Sequence, residues 1–294
     1  MTETDGDFVV EETKSIVAIM TKFIILDITE TPDENLLMAD GCRLSARIWK
    51  PKNAEANPVP AILEFLPYRK RDGTTARDVL THPYIAKRGY ACVRVDMRGN
   101  GDSDGVMEDE YSKQELEDAL ETIEWISKQS WCSGEVGMMG ISWGGFNSLQ
   151  VAAMQPPALK AIITLCSTVD RYADDIHYKG GCLLNENLGW GSTMWAYSSR
   201  PPDPKLVGEK WRKMWLQRLE TEPFLPIKWL SHQTRDTYWQ HGSVCEDYPA
   251  IKAATLAIGG WGDAYKNTVS HLVENLTAPV KGIVGPWVHK YPHL

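Results

Sequence analysis

The sequence predicts an α/β fold: a mostly parallel β-sheet with helices on both faces and a helical cap inserted after the first half. Three observations carry that expectation. Short runs that are apolar at both parities recur along the chain, as in strands covered on two faces. Segments of helical spacing lie between them, which implies parallel strands joined by right-handed crossovers. One stretch, from about Val169 to Pro249, breaks this rhythm and is rich in tryptophan.

The elements follow in order. Residues 1–34 form an N-terminal extension with no clear pattern; it opens acidic, Met1-Thr2-Glu3-Thr4-Asp5, without the basic start of a secretory signal. Arg43–Trp49 alternates, as an antiparallel leading strand does. Ala61–Phe65, Ala91–Asp96, Val136–Gly140 and Ala161–Cys166 read as central strands. Lys113–Gln129 has helical period, with Leu116, Leu120, Ile123 and Ile126 on one side. Lys205–Glu220 reads as an amphipathic cap helix, and Ala254–Ile258 and Val280–Val284 as the last strands. The core is therefore expected over 35–168 and 250–294, and the cap over 169–249.

Chemistry enters at Gly140-Ile141-Ser142-Trp143-Gly144. This G-x-S-x-G sits where a buried strand gives way to a helix with small residues at its start. Such a turn lifts a serine hydroxyl out of the backbone, with helix N–H groups behind it. The partners are then required in the order Ser, Asp or Glu, His, each on a loop after a later strand. Asp263 follows one late strand in Gly259-Gly260-Trp261-Gly262-Asp263. His289 follows the next in Gly285-Pro286-Trp287-Val288-His289. Asp263 would orient His289, and His289 would take the Ser142 proton and return it to the leaving group. His293 is the one competing histidine of note. Glu246 and Asp247 precede their strand and fall on the wrong side of the sheet. The backbone N–H of Trp143 would supply one oxyanion donor. Trp143 and Trp261, beside nucleophile and acid, are expected as walls of the substrate pocket.

These pieces resemble the family of cocaine esterase and the X-prolyl dipeptidyl aminopeptidases, serine hydrolases with the α/β-hydrolase fold. The resemblance is carried by Asp40-Gly41-Cys42-Arg43-Leu44, Pro67-Tyr68-Arg69-Lys70, Arg98-Gly99-Asn100-Gly101-Asp102-Ser103-Asp104-Gly105, Trp131-Cys132-Ser133-Gly134, the Ser142 turn, and the Asp263 and His289 segments. It implies hydrolysis of an ester or amide bond through an acyl-enzyme, and a role for Tyr68 as the second oxyanion donor. It also implies a last helix after the histidine, and often a β-rich jelly-roll domain. Neither follows before Leu294, so the chain is expected to be incomplete at its C-terminus, with His289 on a mobile segment. The alternative is an inactive protein of hydrolase fold with a binding role or none.

Composition bounds the rest. A net charge of −8 argues against nucleic acid as a partner. The six cysteines form no C-x-x-C, so no metal site or cofactor is expected, and Cys92 and Cys166 read as small core residues. No apolar run is long enough to span a membrane. A cytoplasmic location and a small ester, amide or short-peptide substrate are expected; self-association is left open. Asp102 and Asp104 would repel phosphate, so their glycine-rich stretch reads as a structural turn. Asp174-Asp175 could receive a substrate amine, but an exposed acid pair at a helix start is the favoured reading.

Overall fold

The structure, a computed structural model, describes residues 25–293. Its frame is one eight-stranded sheet in the order β1-β2-β4-β3-β5-β6-β9-β10. The strands are β1 Ile28–Leu37, β2 Arg43–Pro51, β3 Val59–Leu66, β4 Ala91–Asp96, β5 Cys132–Ile141, β6 Leu159–Leu165, β9 Ala254–Gly260 and β10 Val280–Gly285. A separate ribbon pairs β7 Tyr178–Lys179 with β8 Cys182–Leu183. Only β2 runs against its neighbours, β1 and β4; all other adjacent strands are parallel. Residues 28–34, assigned above to the extension, belong to β1. Its burial pattern is irregular and its pairing is broken between Thr31 and Glu34, which hides the strand's period of two. Residues 1–24 of the extension lie outside the described residues.

Helices α1 Thr75–Ala86, α2 Lys113–Ser127 and α3 Trp143–Ala153 follow β3, β4 and β5. Between β6 and β9 lie α4 Glu186–Ser198, α5 Pro204–Val207, α6 Trp211–Thr221, α7 Leu225–Ser231 and α8 Thr237–Gln240; α9 Thr268–Asn275 joins β9 to β10. The β3-to-β4 crossover runs toward the β1 edge, whereas those through α2, α3 and α9 run toward the β10 edge. Right-handed crossovers therefore put α1 on one face and the others on the opposite face. The expected helix Lys205–Glu220 is split. Gly208, at φ +63°, ends α5, and a single 3-10 turn leads into α6. Among the described residues no helix is long and apolar enough to cross a membrane.

The two faces of the sheet are built differently. Ile48, Leu63, Phe65, Val93 and Val95 share one parity and enter the large core under α2 and α3. The other parity carries Trp49 and Cys92, which make a small cluster with Ala86 of α1. It also carries Glu64 and Arg94, both fully buried. Glu64 accepts from Arg77 Nη2 at 2.6 Å, and Arg77 also reaches Asp78 at 2.7 Å. His82 stacks on Trp49 at 4.9 Å. Charges so deeply buried persist only because each has a counter-charge and hydrogen bonds.

A second buried cation organises the loops above the sheet. Lys70 Nζ donates to Asp102 at 2.8 Å and Ser45 at 2.6 Å, with Asp96 at 3.4 Å. This holds the glycine-rich turn after β4, where Gly99, Gly101 and Gly105 all have positive φ. Arg218 of α6, also fully buried, donates to the carbonyls of Gly101 at 2.9 Å and Ser103 at 2.6 Å. The inserted helices are thus fastened to the same turn. Lys70→Ala would leave Asp96 and Asp102 buried without this counter-charge. We expect a loss of about 3–5 kcal/mol in chemical denaturation, against near-zero loss for the exposed pair residue Lys128→Ala.

Candidate active site

Ser142 occupies the tight turn between β5 and α3 with φ +56° and ψ −126°, a conformation that L-residues rarely adopt. Surrounding bonds hold it there. Its N–H donates to Leu165 O at 2.9 Å, and its carbonyl accepts from Gly145 and Phe146 N–H at 2.7 and 2.9 Å. The flanking glycines are steric necessities. A Cβ on Gly140 would stand 2.4 Å from the Gly144 backbone, and one on Gly145 would stand 2.6 Å from Leu165 O.

Asp263 and His289 lie on the loops after β9 and β10. Trp261 N–H donates to Gly285 O at 2.9 Å and Gly262 N–H to Trp287 O at 3.0 Å, which joins the loops side by side. Gly260 makes this approach feasible, since a Cβ there would meet Trp287 O at 2.0 Å. The result is a hydrogen bond of 2.9 Å between His289 Nδ1 and Asp263 Oδ1. The Asp263 side chain is 1% exposed and the His289 side chain 44%. Burial opposes the Asp263 charge, but the bond from His289 and the adjacent Cys166 thiol hold its pKa below the ordinary carboxylate value.

Ser142, Asp263 and His289 line one cavity of about 730 Å³. Among the described residues no hydrogen bond joins Ser142 to His289, whose Nδ1 faces Asp263. Tyr68 follows β3, and its phenol sits against both the Ser142 side chain and the Trp143 backbone N–H. Burial raises the Tyr68 pKa well above its usual value, so it remains a protonated donor. Gly73 lets the chain close over Tyr68, where a Cβ would meet Tyr68 O at 1.9 Å.

The two tryptophans expected as pocket walls do not line this cavity. The Trp143 ring is fully buried, and its Nε1 donates to Glu115 at 2.5 Å; only its backbone belongs to the site. Burial pushes Glu115 up to about 8, so the indole is held by a neutral acid at neutral pH. Trp261 turns outward and is 69% exposed. His293 contacts Thr81 at 3.3 Å, away from Asp263.

The wall is supplied instead by residues that the sequence did not single out, including Glu110, His177, Trp190 and Tyr265. Glu110 accepts from His177 Nε2 at 2.6 Å and Arg171 at 3.0 Å. Against the effect of burial, these two partners lower its pKa to about 2. His177 Nδ1 meets Asn187 Oδ1 at 2.7 Å, and the Asn187 amide nitrogen already donates to Leu184 O. Both His177 nitrogens therefore face acceptors, as in an imidazolium. Asp175 is not an exposed helix-start acid. It is 3% exposed, it lines the cavity, and burial pushes it up to about 6. Its Oδ1 is bonded to Tyr265, while Oδ2 is buried with no hydrogen-bond partner. Its neighbour Asp174 is the one spent on Lys179 and Asn267.

The segment carrying His289 is tied down two residues later. Tyr291 is 7% exposed, donates to Glu64 at 2.9 Å, and lies under the Arg77 guanidinium at 5.2 Å. The mobile histidine segment expected from the sequence is thus tethered to the charged face of the sheet.

The family described as X-Pro dipeptidyl-peptidase (S15 family) matches residues 40–291. Cocaine esterase of Rhodococcus sp. (strain MB1 Bresler) is 29% identical over 279 residues, covering 86% of this chain and 47% of that protein. The chain therefore spans about half the length of this relative. A CocE/NonD family hydrolase from Staphylococcus aureus superposes with a TM-score of 0.70 at 22% identity, over 87% of this chain and 46% of that one. An α-amino acid ester hydrolase superposes with a TM-score of 0.65 at 21% identity, over 91% of this chain and 49% of that one. These likenesses identify the fold as the α/β-hydrolase fold.

Removing the Tyr291 hydroxyl should loosen the histidine segment selectively. In Tyr291→Phe we expect faster amide exchange over residues 287–291 with α3 unchanged, and a stability loss of roughly 1–3 kcal/mol. Hydrogen-exchange mass spectrometry checks this, and equal exchange in both proteins would remove Tyr291 as the tether.

Proposed function

The chain belongs to the X-Pro dipeptidyl-peptidase (S15) family, and on that premise we propose that it is a serine hydrolase cleaving an ester or amide bond through an acyl-enzyme. The observation that supports this most is the convergence of Ser142, Asp263 and His289 on one cavity, with the 2.9 Å Asp263–His289 bond. Ser142 Oγ attacks the carbonyl carbon while His289 Nε2 takes its proton. Asp263 holds the Nδ1 proton and stabilises the imidazolium. The carbonyl oxygen becomes an oxyanion between the Tyr68 phenol and the Trp143 N–H, taking the place of the contact these two groups make with each other. His289 then protonates the leaving alcohol or amine. Water, activated by the same imidazole, releases the acid and restores Ser142.

The cavity also favours a class of substrate. Glu110 takes the bonds of His177 and Arg171, which leaves Asp175 and the exposed Glu186 as carboxylates of the wall with no salt-bridge partner among the described residues. Trp190 and Tyr265 stand among them as aromatic faces suited to a cation. Substrates with an ammonium group close to the scissile carbonyl fit this arrangement. The six unpaired cysteines fit a reducing, cytoplasmic setting.

The sign of the pH dependence follows from Asp175. Its raised pKa, about 6, makes it neutral in acid and charged above that value. The KM of a p-nitrophenyl ester with an amine on its acyl group should rise about tenfold or more as pH falls through 6, as for loss of a charge-assisted contact. The KM of a neutral ester should stay level. Asp175→Asn should bring the two esters together at pH 8. Equal KM profiles for both esters in the wild type would remove the amine subsite. Absence of Ser142-dependent turnover of esters and Xaa-Pro anilides alike would overturn the hydrolase reading.

A further inference from the structure

Cys166 follows β6 with φ +48°, beside the Asp263–His289 pair. Donor atoms of Cys166, Asp263 and His289 all lie within 4.8 Å of one another. We infer that these three side chains form a binding site for a zinc-like divalent cation, and that its occupancy switches the triad off. The binding stands on geometry alone; the inhibition rests on the hydrolase reading above.

The donor set suits such an ion. Thiolate, imidazole and carboxylate are the zinc ligands of proteins, with sulfur at roughly 2.3 Å and nitrogen or oxygen at about 2.0–2.2 Å. Donors around one ion then stand roughly 3.3–3.6 Å apart, a contraction within reach of small side-chain rotations. A separate observation points the same way. Asp263 Oδ2 is buried and makes no hydrogen bond of ordinary geometry, and beyond His289 the side chain that meets this carboxylate is the weakly donating Cys166 thiol. His289 is half open to the cavity, which gives an ion a path in and leaves its fourth position to water.

A second triplet, Glu64, Asp78 and His82, has comparable spacing but carries no such inference. Arg77 and the buried Arg94 already contribute two cations there, and they would repel a third.

The chemistry of the switch balances simply. The ion displaces the Cys166 thiol proton to solvent and binds the thiolate and the Asp263 carboxylate, so its two charges are matched by two. At His289 it takes Nδ1, the nitrogen already 2.9 Å from Asp263. The imidazole proton moves to Nε2. That nitrogen must be free to accept the Ser142 proton, so the metal-bound histidine is no longer a base. The serine loses its activation while its backbone and the oxyanion donors remain unchanged.

The test uses the full chain, freed of metal with a chelator and titrated with zinc chloride or cobalt chloride. Wild-type protein should bind one zinc tightly and release a proton. Cobalt should give the near-ultraviolet band of a cobalt–thiolate bond. Cys166→Ser should lose that band and bind zinc at least about tenfold more weakly. Zinc should abolish ester turnover by the wild type, and chelator should restore it. Should Cys166→Ser fold poorly, the wild-type titration and its chelator reversal still decide. Zinc that neither binds nor inhibits, or a cobalt band unchanged in Cys166→Ser, overturns the site. Tight thiolate-dependent binding by a protein with no hydrolase activity keeps the metal site and removes only the functional reading.

Discussion

Everything at the site depends on the backbone of Ser142. At φ +56° the residue is strained, and it stays there because the sheet and α3 leave it no alternative. Its N–H is taken by β6 and its carbonyl by the first turn of α3, and Gly140 and Gly145 remove the atoms that would collide. One constraint thus fixes three things together: the direction of Oγ, the position of the Trp143 N–H beside it, and the close approach of β6. The buried Trp143 ring, bonded to Glu115, locks the turn from below.

The remaining groups reach Ser142 through the two unlike faces of the sheet. The apolar face carries α2 and α3 and gives the elbow a rigid base. The charged face under α1 does a different task. Glu64 lies near the end of β3, and the same strand runs into Tyr68. Glu64 also receives Tyr291, two residues beyond His289. The proposed oxyanion donor and the anchor of the segment that carries the proposed base are therefore both set by β3. Lys70 and Arg218 extend this logic upward, since both bind the turn after β4 and so couple the inserted helices to the sheet.

Much of this was legible in the sequence, and the part that was not has physical reasons. The parallel strands are apolar on both parities because both of their faces are covered, and that signal is strong. The order of Ser142, Asp263 and His289 was readable because each sits at a strand end beside glycines that only a tight approach explains. β1 was missed because its pairing slips in the middle. The α5–α6 break was missed because Gly208 interrupts a sequence that is otherwise good helix. Trp143 was read as a wall because proximity in sequence says nothing about which side of a turn a ring takes. Cys166 is the small core residue that the sequence suggests, whereas the place of Asp175 in the cavity wall has no local signal. Asp175 meets Tyr265 ninety residues away, and no local pattern encodes such a meeting.

The central claim is that Ser142 is an activated nucleophile, and covalent capture tests it most directly. The folded chain would be incubated with a fluorophosphonate at neutral pH, and the modified peptide mapped by tandem mass spectrometry. The account predicts one adduct, on Ser142, formed rapidly in the wild type and about a hundredfold or more slower in His289→Ala. No adduct on folded protein, or labelling of Ser142 at the same rate without His289, would contradict it.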